Sequence, residues 1–158
     1  MAWLIYDSDG RQLDSRSFIV KPEGFQIPLE ATKIHGISNQ RALAEGRELR
    51  EILQTFVKAI DRTDFLVAHN IDFDAKIVGA ELLRTGVPNQ LFNRPHICTM
   101  KSTTDFCRIQ GPNGYKWPTL SELYLTLFGR TFPEAHNAAA DVEALARCFF
   151  RLKELNVL

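Results

Sequence analysis

The chain has 158 residues, 45% of them hydrophobic, and its 19 Lys and Arg balance its 19 Asp and Glu to a formal net charge of zero. That length and apolar content suit one compact domain with a real core and exclude a disordered or low-complexity chain. Neutrality excludes a basic coat over the whole surface, so function has to be sought in local chemistry.

Cys98, Cys107 and Cys148 are odd in number, widely spaced and set in apolar or helical patterns. They read as reduced thiols of a cytoplasmic protein, not as a disulfide frame or a zinc site. The apolar run Ala2–Tyr6 has no basic leader, and no later run approaches the ~20 apolar residues of a membrane helix. A soluble, unsecreted chain with no membrane partner is expected.

In chain order, Ala2–Tyr6 and the alternating stretch Leu13–Val20 are strand-like, and Asp7-Ser-Asp-Gly10 between them carries the turn chemistry of a hairpin. A Pro- and Gly-containing connection, Lys21–Pro28, leads to a helical turn at Ile34-His35-Gly36-Ile37, closed by Gly36. Leu49, Ile52, Leu53, Phe56 and Ile60 repeat with the spacing of an amphipathic helix. Phe65–Ala68 is apolar on both alternating faces, which predicts a buried central strand. Asn70 then N-caps a helix running to about Arg84. A short strand at His96–Thr99 leads into another helix, which Gly111-Pro-Asn-Gly114 ends. Helices over Thr119–Phe128, closed by Gly129, and Asn137–Leu155 complete the chain. Strands alternating with helices after an opening hairpin predict a mixed α/β sheet covered by helices, in one domain spanning residues 1–158.

In the last predicted helix Asp141 shares a stripe with Leu145, Cys148 and Leu152, so its carboxylate points toward the sheet. An inward carboxylate needs a cation or several donors; a first-turn acid also simply complements the helix dipole. His136, five positions earlier, falls off that stripe and projects from the preceding loop, where it either reaches over a site or stays a structural, exposed histidine. Asp74 lies in the first turns of the helix after the central strand, at the sheet edge where open α/β folds bind ligands. Asp72 beside it has the same helix-start explanation. Phe73, Ile77 and Ala80 read as a core face, although an aromatic at a site rim also stacks on bases.

Taken together, His69-Asn70 with Phe73-Asp74, and His136 five residues before Asp141, resemble the second and third motifs of the DEDDh (DnaQ-like) 3′-to-5′ exonuclease family. That family includes the proofreading epsilon subunit of bacterial replicative DNA polymerase. The Ile34–Ile37 turn, Cys98-Thr-Met100 and Lys116–Leu123 fit the resemblance in the same order. It implies a ribonuclease H-like fold in which four acidic residues hold two divalent cations, Mg²⁺ or Mn²⁺, and a histidine activates water. Carried over by position, Asp74 and Asp141 become metal ligands and His136 the general base. His35, His69, Asn70 and Phe73 become substrate-contacting positions. The implied partners are nucleic acid 3′ ends, single-stranded DNA ahead of RNA, and a DNA polymerase.

The family's first motif, an Asp-x-Glu on a central first strand, has no counterpart here. Asp7 and Asp9 have the spacing but sit in the hairpin turn, and the other acidic i, i+2 pairs lie at helix starts, where such side chains diverge by ~200°. The expectation is an N-terminally incomplete exonuclease domain that binds metal weakly. The alternative is a catalytically inactive nucleic-acid-binding or polymerase-associated module.

Overall fold

The computed structural model describes all 158 residues. It opens with strands β1 (Ala2–Tyr6) and β2 (Gln12–Ser17), paired antiparallel. The Asp7 carboxylate ties their turn by accepting the backbone N–H groups of Asp9 at 3.1 Å and Arg11 at 2.8 Å. Asp7 is therefore turn chemistry, as its Gly10 neighbour suggests. β2 is shorter than the alternating stretch: beyond Phe18 the chain leaves β1, and Val20 bridges Arg47 instead.

Helices α1 (Leu29–His35), α2 (Asn39–Glu45) and α3 (Leu49–Ile60) follow. α3 forms over the predicted periodic residues and buries Ile52, Leu53, Ala59 and Ile60. Strand β3 (Leu66–Ala68) feeds α4 (Ile71–Thr85) and pairs in parallel with β4 (His96–Cys98). The central burial expected of Phe65–Ala68 is only partly realised. β4 is its one partner, β3 is half-buried throughout, and Phe65 stays 41% exposed.

Short helices α5 (Thr99–Ser102) and α6 (Thr104–Cys107) come next. The expected helix stop at Gly111–Gly114 falls earlier, at Cys107, where Arg108 takes the left-handed conformation with φ 50°. Gly111-Pro-Asn-Gly114 instead turns a small hairpin of β5 (Gln110–Gly111) and β6 (Gly114–Tyr115), because those residues favour tight turns over helix ends. α7 (Leu120–Phe128) and α8 (Ala138–Glu154) close the fold. α7 starts on a reciprocal cap, Thr119 with Glu122, a Thr-x-x-Glu signature visible in the sequence.

Three small apolar clusters hold these pieces. One joins α3, α4 and Leu91, one joins α7 with α8, and one packs Trp3 and Ile5 of β1 on Ile52 and Ala59 of α3. The result is a mixed α/β architecture, as the sequence predicts. The three cysteines are free thiols.

Candidate active site

The site grows from the carboxyl end of β3. Asn70 there adopts φ 75°, a left-handed conformation that Asn tolerates better than most residues, and its side chain makes no capping bond. His69 before it is held at both ring nitrogens: Nδ1 lies 3.0 Å from Thr99 Oγ1 and Nε2 lies 2.8 Å from the carbonyl of Pro118. A carbonyl only accepts, so Nε2 carries a proton and donates it to Pro118. Burial pushes the His69 pKa down, partly countered by the bond to Pro118. This ring fastens the β3 end to α5 and to the segment before α7. It positions the site without a free nitrogen for a substrate.

In the first turn of α4, Asp72 forms an ion pair with Lys101, whose hydrogen bond and charge hold the Asp72 carboxyl below its usual range. Asp74 has no such partner. Crowding by neighbouring protein atoms pushes its pKa up, against one backbone N–H that lowers it. Its side chain is still open to solvent, so water limits that rise. The expectation that Phe73, Ile77 and Ala80 face the core does not hold: Phe73 is 62% and Ile77 54% exposed. α4 buries Ile71, Ala75 and Leu82 instead, and Phe73 lies ~200° around the helix from Ile71. Phe73 is thus an exposed aromatic directly beside Asp74.

The other group of candidate residues lies at the start of α8. Asn137 caps the helix, its side chain accepting the Ala139 N–H at 3.0 Å. Asp141 in the first turn is half-buried, with Cys148 and Leu152 of its stripe in the core. Its Oδ1 accepts the backbone N–H of His136 at 3.2 Å. His136 is exposed in the loop ahead of the helix, as its spacing predicts, and takes φ 76°, with Glu134 at φ 57°. Two non-glycine residues in this conformation cost on the order of 1–3 kcal/mol each, less for histidine, which adopts it more readily than most.

The structure therefore brings His136 and Asp141 together, while no hydrogen bond joins either to Asp74. His35 stands apart at the end of α1, its Nδ1 accepting the Ile37 N–H at 3.1 Å. Thr99 and Pro118 lie in segments that fit the family resemblance but were given no role there, and Lys101 lies outside every motif. The available signal was that a buried histidine must find partners. No group of three or more His, Cys, Asp or Glu side chains is arranged to hold a metal ion. Two carboxylates do not make a centre for two dications, so the residues present do not by themselves fit that group.

A family model described as Exonuclease matches residues 5–149. The three-prime repair exonuclease 1 of Bos taurus is 32% identical over 146 residues, which cover 85% of this chain and 45% of that protein. The human protein of the same name is 29% identical over 144 residues, 85% of this chain and 46% of its own length. The mixed α/β fold and the family match together define an exonuclease domain of the ribonuclease H-like class. The chain belongs to the exonuclease family, of the DEDDh type, and spans about half the length of the relatives it matches. Divalent metals are typical of that family.

Proposed function

We propose that this domain hydrolyses phosphodiesters at the 3′ ends of nucleic acid, single-stranded DNA in preference to RNA, once its metal-ligand set is complete. The observation that carries the reading is the strained loop that poises exposed His136 against Asp141. His136 there takes the proton of the attacking water, and the backbone bond to Asp141 fixes the loop on which it rides. Phe73, exposed beside Asp74, stacks on an unpaired base, while Asn70 lines the approach. His69 contributes to substrate binding through the segments it holds.

Asp74 and Asp141 are two ligands of the Mg²⁺ or Mn²⁺ pair, and two carboxylates alone hold such a pair weakly. Calorimetry tests this. Residues 1–158 alone take up Mn²⁺ weakly and leave 3′ ends intact, whereas an added Asp-x-Glu strand restores both binding and trimming. Tight binding of two Mn²⁺ ions by residues 1–158 alone contradicts it.

One observation favours a second reading. The missing metal cluster suits a catalytically silent nucleic-acid-binding or polymerase-associated module. Firm binding of single strands without any trimming, after the strand is restored, selects that reading. The names of the relatives support repair as the setting. A DNA polymerase partner and a cytoplasmic location belong to the same proposal; no helix is long and apolar enough to cross a membrane.

A further inference from the structure

Tyr115, Lys116 and Trp117 stand exposed in succession, on the second arm of the β5–β6 hairpin and just beyond it. Tyr115 is 43% and Trp117 59% exposed, and neither ring takes part in the protein's ring–ring contacts. The Lys116 N–H donates to Ile109 O at 2.9 Å, so the pairing of the two arms continues past Tyr115. Trp117 precedes Pro118, whose ring disfavours the helical region for the residue before it and keeps Trp117 extended. Residues two apart in an extended chain share a face. Tyr115 and Trp117 are therefore on one face, while Lys116 turns to the other and pairs with Glu122 at 2.6 Å.

The two aromatics are also tied to the candidate site. Pro118 O, one residue on, accepts from His69 Nε2 at 2.8 Å, and His69 leads through Asn70 into Phe73 and Asp74. The hairpin that carries them is tightly closed: a Cβ on Gly111 would lie 3.1 Å from Gly114 O and 3.0 Å from Lys116 Cβ. From Arg108 to Trp117 the chain holds two cations and no acid. Glu122 partly neutralises Lys116, whereas Arg108 Nε meets only the backbone carbonyl of Asp105, at 3.3 Å. Exposed rings interleaved with cations suit a ligand that offers flat bases and phosphates together.

We propose that Tyr115 and Trp117 form a stacking platform for unpaired bases of the nucleic acid strand whose 3′ end this domain takes, with Arg108 beside it for the phosphates. At ~3.3 Å per residue the two positions are ~6.6 Å apart. That is about twice the ~3.4 Å rise per nucleotide of a stacked strand, so one base fits between the rings. Every base has a π-face, and the platform is therefore tolerant of sequence. It selects unpaired strands, because in a duplex each face is already covered by its neighbours. The inference rests on the proposed function for its choice of ligand, and it gives neither ring a part in the chemistry.

Tryptophan fluorescence of the intact chain, without metal, tests it. Of the two tryptophans, Trp3 is 7% exposed and Trp117 59%, so a base arriving from solvent quenches Trp117 alone. Oligo(dT) quenches the red, solvent-exposed part of the emission, and a blunt duplex of equal length does not. Trp117→Ala and Tyr115→Ala each weaken binding of 5′-labelled oligo(dT), read by anisotropy, by about 5- to 150-fold, the effect of losing one aromatic under a base. Trp117→Phe keeps most of the affinity. Phe92→Leu, which removes a 65% exposed ring beside Gly79 of α4, leaves it unchanged. Emission that oligo(dT) leaves unaltered overturns the proposal, as does equal quenching by the duplex or an equal loss in Phe92→Leu. Quenching by a chain that trims no 3′ end, even with its acidic ligand set complete, refutes the proposed hydrolysis and leaves the platform standing. Trimming without quenching does the reverse.

Discussion

His136 carries the sharpest expectation at the scale of single residues. Its φ of 76° means that an alanine there confuses lost chemistry with backbone strain, whereas asparagine tolerates that conformation. In the strand-completed protein, His136→Asn lowers turnover by about 10²- to 10⁴-fold while single-strand affinity and Mn²⁺ binding hold. Steady-state rates and fluorescence anisotropy separate the two, and an unchanged rate with an unchanged acidic limb removes His136 from proton transfer. His69 gives a different signature, in stability. Burial lowers its folded pKa, so the neutral ring is the folded form. Above the unfolded value of ~6.5 both states are neutral and the full stability is present. As pH falls below ~6.5 the unfolded chain takes up the proton first, and stability drops until the folded ring also titrates. Urea midpoints therefore fall from pH 7 toward pH 5, and His69→Gln flattens that slope. A slope that survives the substitution assigns it to other groups.

The elements were legible to different depths, for reasons their residues show. α3 follows the periodicity of Leu49 to Ile60, and α7 follows Thr119-x-x-Glu122, because both signals are local. α4 was placed correctly but its face was not. Phe73, Ile77 and Ala80 have helical spacing, yet the packing seam runs through Ile71, Ala75 and Leu82, which only tertiary contacts decide. His69 finds Thr99 and Pro118 at separations of 30 and 49 residues, beyond any local pattern. Gly46 is another element-scale feature without a sequence motif. A Cβ there meets Ala42 O at 2.1 Å and the Lys21 backbone nitrogen at 2.8 Å. Both are backbone atoms, at the point where Lys21 N–H donates to Arg47 O and Arg47 N–H donates to Ile19 O. Gly46→Ala should thus cost at least the ~1–3 kcal/mol typical of overpacking, because main chain cannot rotate away. Chemical denaturation measures it, and a change below ~0.5 kcal/mol, the range of ordinary surface substitutions, shows that the loop relaxes freely.

For the molecule as a whole, the motif order predicted the family and the mixed α/β class. β1 and β3 pair with β2 and β4 in separate two-stranded sheets, a division that no local pattern in the sequence announces. Strand pairing is non-local, so a sequence shows which strands exist more readily than which edges stay open. The central claim is that Asp74, Asp141 and His136 form part of a 3′-end hydrolase that becomes competent when its acidic ligand set is complete. The direct measurement follows a 5′-labelled single-stranded DNA with Mn²⁺, using residues 1–158 preceded by an apolar strand ending in Asp-x-Glu. The account predicts a ladder of products shortened stepwise from the 3′ end, abolished by Asp74→Ala and by Asp141→Ala. An intact oligonucleotide, internal cleavage, or a ladder that survives both substitutions contradicts it.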